Sequence, residues 1–140
     1  MEVVVGVVFV VILVYLITIS VKVGTGISQT ISGPDQVIRL QVLNACGVAG
    51  LAAQTGSSLS GYRGKDFEIV LAETDNFEVR SLPHSIIVSR IENTVPARLL
   101  AEHVGLDPSE VVYRPLENNM KHISVTLILG EDYEQVTSER

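Results

Sequence analysis

The 140-residue sequence has no tryptophan, one cysteine and only 5% aromatic residues. A single cysteine excludes an intramolecular disulfide and any cysteine-rich zinc site. With no Trp and four Tyr, few platforms exist for stacking against sugar rings. Positive charge is also scarce: 10 Lys+Arg stand against 16 Asp+Glu, a net charge of −6. That balance argues against a nucleic-acid ligand and against docking on an anionic membrane surface. The common catalytic and metal signatures are missing too. No G-x-S-x-G occurs, so Ser/His/Asp hydrolysis has no anchor. Gly64-Lys65-Asp66 lacks the upstream Gly and the Ser/Thr of a phosphate loop. His84, His103 and His122 fall in separate regions without ligand spacing, and the acidic group Glu131, Asp132 and Glu134 lacks a calcium loop's alternation. No metal and no cofactor is expected.

Charge is wholly absent from Val3 to Val21, a run of 19 residues. As a helix it would span about 28 Å, close to the roughly 30 Å hydrocarbon core of a bilayer. The hydroxyls of Thr18 and Ser20 can bond back to helical carbonyls. Met1-Glu2 supplies no basic n-region, and Lys22-Val23-Gly24-Thr25-Gly26 is a poor cleavage site, so an uncleaved anchor is expected over 1–23. Lys22, the one basic residue nearby, votes for a cytoplasmic C-terminal part. Residues 24–36, rich in Gly, Ser and Thr, read as a flexible linker.

Beyond the linker the periodicity alternates between 2 and 3.6. Strands are predicted at 37–43, 67–73 and 123–129, where apolar residues alternate with polar ones, and as short apolar stretches at 85–90 and 111–114. Helices are predicted at 48–59 and after Thr94, the second with Pro96 in its first turn and Gly105 as its stop. The stretch 74–84 reads as a polar connection, and 134–140 as a charged, frayed tail. The order β-α-β-β-α-β-β, with alternating strands, predicts an α+β sandwich of ferredoxin-like character, its sheet covered on one face by two helices.

The sharpest local signal lies between the first strand and the first helix, at Asn44-Ala45-Cys46-Gly47-Val48-Ala49-Gly50. Aligned as Ala45-x-Gly47-x-x-Gly50 it resembles a dinucleotide-binding turn that has lost its first Gly, with Glu73 in the place of a ribose-binding acid. Against this, the turn-forming Gly is absent and the preceding strand carries Arg39 and Gln41. A structural account serves the same residues. Gly47 supplies a turn conformation, Gly50 lets the helix pack close to the sheet, and Asn44 bonds its own turn. Free N–H groups at a helix start can also hold an anion. Cys46 beside a helix N-terminus is a candidate nucleophile, although no His or Asn partner is evident. Asn44, Ala45, Cys46, Gly47 and Gly50 are therefore the candidate binding residues, with no catalytic residue assigned.

Val42-Leu43-Asn44-x-x-Gly47-Val48-x-Gly50-Leu51-Ala52 resembles the opening block of the LytR C-terminal domain. The stretch Leu99-Leu100-Ala101-x-x-x-x-Gly105-Leu106 is similar to that family's second helix. Val125-Thr126-Leu127-Ile128-Leu129-Gly130-x-Asp132-Tyr133 is similar to its final strand. Together these blocks cover about residues 37–133. The chain departs from the pattern at Ala45-Cys46, where the family usually has Gly-Ser/Thr, and at Ala49, where it often has Pro. The resemblance implies an accessory domain of the cell envelope, either behind a LytR–CpsA–Psr phosphotransferase domain or alone behind one transmembrane helix. The second arrangement is expected for this chain, with no room in its 140 residues for the phosphotransferase.

The resulting expectation is a single-pass membrane protein with a non-enzymatic, extracytoplasmic domain that binds or scaffolds in cell-wall assembly or maintenance. Its partners would be envelope proteins or wall glycopolymer. A nucleotide- or anion-binding module built on Gly47 and Gly50, and a peptidoglycan- or glycan-binding module, are the alternatives.

Overall fold

In a computed structural model, residue 6 and residues 35–137 are described. Apart from residue 6, the expected anchor helix over Val3–Val21 lies outside them, as do nearly all of the linker and residues 138–140. Among the described residues no helix is long and apolar enough to cross a membrane.

Five strands form one sheet: β1 (Gln36–Asn44), β2 (Phe67–Asn76), β3 (Ile86–Ser89), β4 (Val112–Tyr113) and β5 (Val125–Leu129). Three helices accompany them: α1 (Leu51–Leu59), α2 (Val95–His103) and a single turn, α3 (Tyr133–Thr137), with a 3-10 turn at Pro108–Glu110. The strand order is β2-β1-β5-β3-β4. β1 runs parallel to β2 and to β5, β3 runs antiparallel to β5, and β4 runs parallel to β3.

The α+β class holds, but the strand order differs from the ferredoxin-like expectation. A split β-α-β unit seats another strand between its two. Here β1-α1-β2 and β3-α2-β4 each join immediate neighbours. The two units run in opposite directions and also step outward in opposite directions. Crossovers of the same hand therefore put both helices on one face. β5 joins the units at the centre.

That face holds the main core. Ile38, Leu40 and Val42 of β1, Ile69 of β2 and Val125, Leu127 and Leu129 of β5 pack against Leu51 and Ala52 of α1 and Ala97, Leu100 and Ala101 of α2. Val136 of α3 is 4% exposed in the same cluster. The predicted frayed tail thus begins as a helical turn docked by one valine. Pro96 fits the first turn of α2 as predicted, and Gly105, at φ 77°, ends it. Thr94 makes no side-chain cap; the amide oxygen of Asn93 accepts from the Val95 N–H at 3.1 Å instead.

The opposite face is only half open. The 77–84 connection folds over it, and Phe77 and Leu82 cover Ala45, Leu43, Ile86, Val88 and Ile128 in a second apolar cluster. All five residues of β5 are therefore buried. Two apolar residues within a polar stretch were enough to make this connection a lid on the sheet. Gly130 is where it presses closest: a Cβ there would lie 2.5 Å from the His84 carbonyl carbon.

Candidate functional site

β1 ends in a turn that its own side chains hold. The Asn44 carboxamide oxygen accepts from the Cys46 N–H at 3.1 Å and from the Cys46 thiol at 3.2 Å. Its amide donates to the Val48 carbonyl at 2.5 Å. Asn44 is 4% exposed, so this is the buried Asx turn expected from its position. Backbone bonds fix the flanks: Ala45 N–H donates to Leu129 at 2.8 Å, and Leu82 N–H donates to Ala45 at 3.0 Å. Ala45 is consequently 0% exposed and Cys46 half-buried.

Gly47 and Gly50 both sit at positive φ, 80° and 75°. Gly50 is the left-handed residue before α1. Its role differs from the close packing inferred from sequence, since a Cβ at Gly50 would meet nothing within 4 Å. The close approach of α1 to the sheet falls at Gly56, where a Cβ would lie 2.9 Å from the Thr74 methyl. Gly47, Val48, Ala49 and Gly50 are exposed at the mouth of the turn. The five candidate residues thus converge, with Asn44 and Ala45 as buried supports and Gly47 and Gly50 as the solvent-facing rim.

Glu73 is not part of that mouth. β2 bulges at Ala72, because Leu40 pairs with Leu71 while Gln41 pairs with Glu73. The extra residue turns Glu73 away from the core and onto the helix-free face. There its carboxylate accepts from the Gln41 amide at 2.8 Å and from Lys121 Nζ at 2.6 Å. The Lys121 bond, aided by Gln41, holds the Glu73 carboxyl below its ordinary range. Both carboxylate oxygens are engaged, so the arrangement gives Glu73 a structural role distinct from that of a ribose-binding acid.

The chain of bonds continues across the sheet. Thr126 Oγ1 donates to Gln41 at 2.8 Å and accepts from Arg90 Nε at 2.8 Å, and Arg90 Nη1 donates to the Arg114 carbonyl at 3.0 Å. Every strand of the sheet is thereby tied on one polar face.

Asp132 forms a second hub. Its Oδ1 accepts from the Ser85 N–H at 2.6 Å and the Ser85 hydroxyl at 2.7 Å, and His84 Nδ1 lies 3.2 Å from its Oδ2. Burial pushes the Asp132 carboxyl up, but the two Ser85 bonds and His84 outweigh it and hold the group below its ordinary range. Ser85, His84 and Asp132 are the residue types of a hydrolase triad in a different wiring. The Ser85 hydroxyl donates to the aspartate, whereas a nucleophile would donate to the imidazole. A cavity of about 220 Å³ opens beside this hub, between β3 and the Pro108–Glu110 turn, with His84, Leu106, Asp107 and Glu110 on its walls. The other histidines stand apart. His103 packs on Tyr62, ring centroids 4.1 Å apart, and His122 occupies a left-handed turn at φ 52°. Among the described residues no cluster has the composition of a metal site.

The described residues thus form a three-helix, five-strand α+β domain whose exposed Asn44–Gly50 turn is held by its own asparagine. The family model for LytR_C, described as LytR cell envelope-related transcriptional attenuator, matches residues 37–133. The chain belongs to that family, which agrees with the resemblance carried by its opening and closing blocks. No curated protein and no solved structure matches it.

Proposed function

We propose that this chain is a membrane-anchored envelope protein whose domain binds or scaffolds, without catalysis, during cell-wall assembly or maintenance. The match of the envelope-related family to residues 37–133 carries the proposal. The apolar run Val3–Val21 supports a single-pass anchor and an extracytoplasmic domain, and the family context outweighs the one vote of Lys22. The geometry around Cys46 favours binding over catalysis. Its thiol faces the Asn44 carboxamide, which cannot act as a base at neutral pH.

The test replaces the native chain with two variants and measures sensitivity to wall-degrading hydrolases. Loss of residues 37–133, with 1–36 retained, should sensitise the cells. Cys46→Ser should leave resistance unchanged. A Cys46→Ser variant that folds normally yet behaves like the deletion would overturn the non-enzymatic reading.

An anion-binding role for the Gly47–Gly50 rim is the second reading. It rests on the exposed mouth of the turn at the start of α1.

A further inference from the structure

The chain is acidic overall, yet one row on its sheet is not. Extending the strand registers places Arg39 of β1 beside Ser124 before β5, Ser124 beside Arg90 after β3, and Arg90 beside Arg114 after β4. Backbone bonds join these neighbours: Ser124 N–H donates to Arg39 at 3.0 Å, Arg90 N–H to Ser124 at 2.8 Å, and Arg114 N–H to Ser89 at 2.9 Å. In-register neighbours share a face, so three guanidinium side chains rise from the helix-free side in one line across four strands. At about 4.8 Å per strand the line is about 14 Å long.

The row is uncompensated. The three ion pairs among the described residues are Arg63–Glu68, His84–Asp132 and Lys121–Glu73. None involves Arg39, Arg90 or Arg114. Of the acids that β2 places on this face, Glu73 already holds Lys121 and Gln41, and Glu68 holds Arg63. Arg39 and Arg114 are exposed and Arg90 is half-buried. Burial, and to a lesser extent the charge of Arg114, lowers the proton affinity of Arg90.

We propose that this arginine row is a binding site for an extended polyanion whose charges are phosphate groups along a linear chain. The inference deepens the envelope reading by naming a ligand class for the same domain. A compact anion could span Arg90 and Arg114 but would leave Arg39 unmet, so the length of the row selects a linear polymer. The Nε–H groups of Arg39 and Arg90 already donate, to the Lys121 carbonyl at 3.0 Å and to Thr126 at 2.8 Å. Neither can offer its Nε edge as a fork to a planar carboxylate. Arg90 Nη1 is engaged as well, by the Arg114 carbonyl at 3.0 Å, so Arg90 keeps no intact fork and offers single N–H donors, which suit a tetrahedral group presenting oxygens in several directions. Val37 and Val112, both about half exposed on the same face, are apolar shoulders for the carbon backbone between charges.

The test measures binding of short-chain inorganic polyphosphate to the full chain in neutral detergent micelles, as a function of salt. Affinity should fall steeply with salt, and Arg39→Gln and Arg114→Gln should each weaken binding about tenfold, the worth of one charge-assisted contact. Arg63→Gln makes the same change of charge off the row and should bind as the parent does. Polygalacturonate, a polymer of carboxylates, should bind at least tenfold more weakly. Equal binding of polygalacturonate, unaltered binding by the two row variants, or binding to phosphatidylglycerol vesicles but not to polyphosphate would each overturn the assignment. The assay does not depend on which side of a membrane the domain occupies. Its failure would therefore leave the envelope reading standing, and the converse also holds.

Discussion

At the scale of single residues, hydrogen-bonding capacity explains more than charge does. Asn44 was legible in the sequence as a turn former because a short amide after an alternating strand bonds its own backbone. The structure adds that it also donates to Val48 and receives the Cys46 thiol. Asn44→Ala would leave the Cys46 N–H and the Val48 carbonyl without their partner, at a cost of about 1–3 kcal/mol in chemical denaturation. Cys46→Ser, which keeps a donor for the same oxygen, should cost clearly less. In the sequence Asp132 is one member of an acidic group with Glu131 and Glu134. The Ser85 contacts that make it a hub come from 47 residues upstream, a distance no local pattern encodes. Its pH dependence follows from sign. The folded carboxyl titrates below its unfolded value of about 3.9, so its stabilisation is complete above that pH and is lost as pH falls through the folded pKa. Melting curves of the parent and Asp132→Asn should differ at pH 7 and converge below about pH 4; a constant gap would assign the effect to packing.

At the scale of elements, alternation of apolar residues located β1, β2 and β5, short apolar stretches located β3 and β4, helical spacing located both main helices, and Pro96 and Gly105 punctuated α2 where expected. Pairing was not legible. Parallel partners are chosen by crossover packing, so the direct β1–β2 neighbourhood and the reversal of β3 became visible only in three dimensions. The bulge at Ala72 was hidden for the same reason: plain alternation from Phe67 would put Glu73 in the core, and the extra residue spares it that burial. Glycine roles were exchanged as well. Gly130→Ala should destabilise by about 1–3 kcal/mol, because the atoms in its way are backbone of the 82–84 segment and cannot swing aside. Gly50→Ala should cost about 1–2 kcal/mol, for the left-handed backbone alone. Thermal melts of the two variants, with Gly61→Ala as another positive-φ reference in open space, would separate steric from conformational cost.

For the whole molecule, the sheet divides the labour. One face is sealed by helices into the core. The other is shared between an apolar lid from 77–84 and a polar band that carries the arginine row. Net charge concealed that band, because an overall excess of acid says nothing about how strands bring Arg39, Arg90 and Arg114 together. Family membership was legible in the blocks around Asn44-Gly47-Gly50 and Gly130-Tyr133, since these turns and close contacts are demanded by the fold. The candidate site was legible only as the Asn44–Gly50 turn; the Asp132 hub and the arginine row depend on long-range register.

We propose that this domain works on the outer side of a membrane, tethered by Val3–Val21. A reporter that is active only outside the cytoplasm, fused after Arg140, tests it most directly. Activity of an expressed fusion is the predicted result. An expressed but inactive fusion, with a cytoplasm-specific reporter active at the same position, would contradict the account. It would show that Lys22 sets the topology.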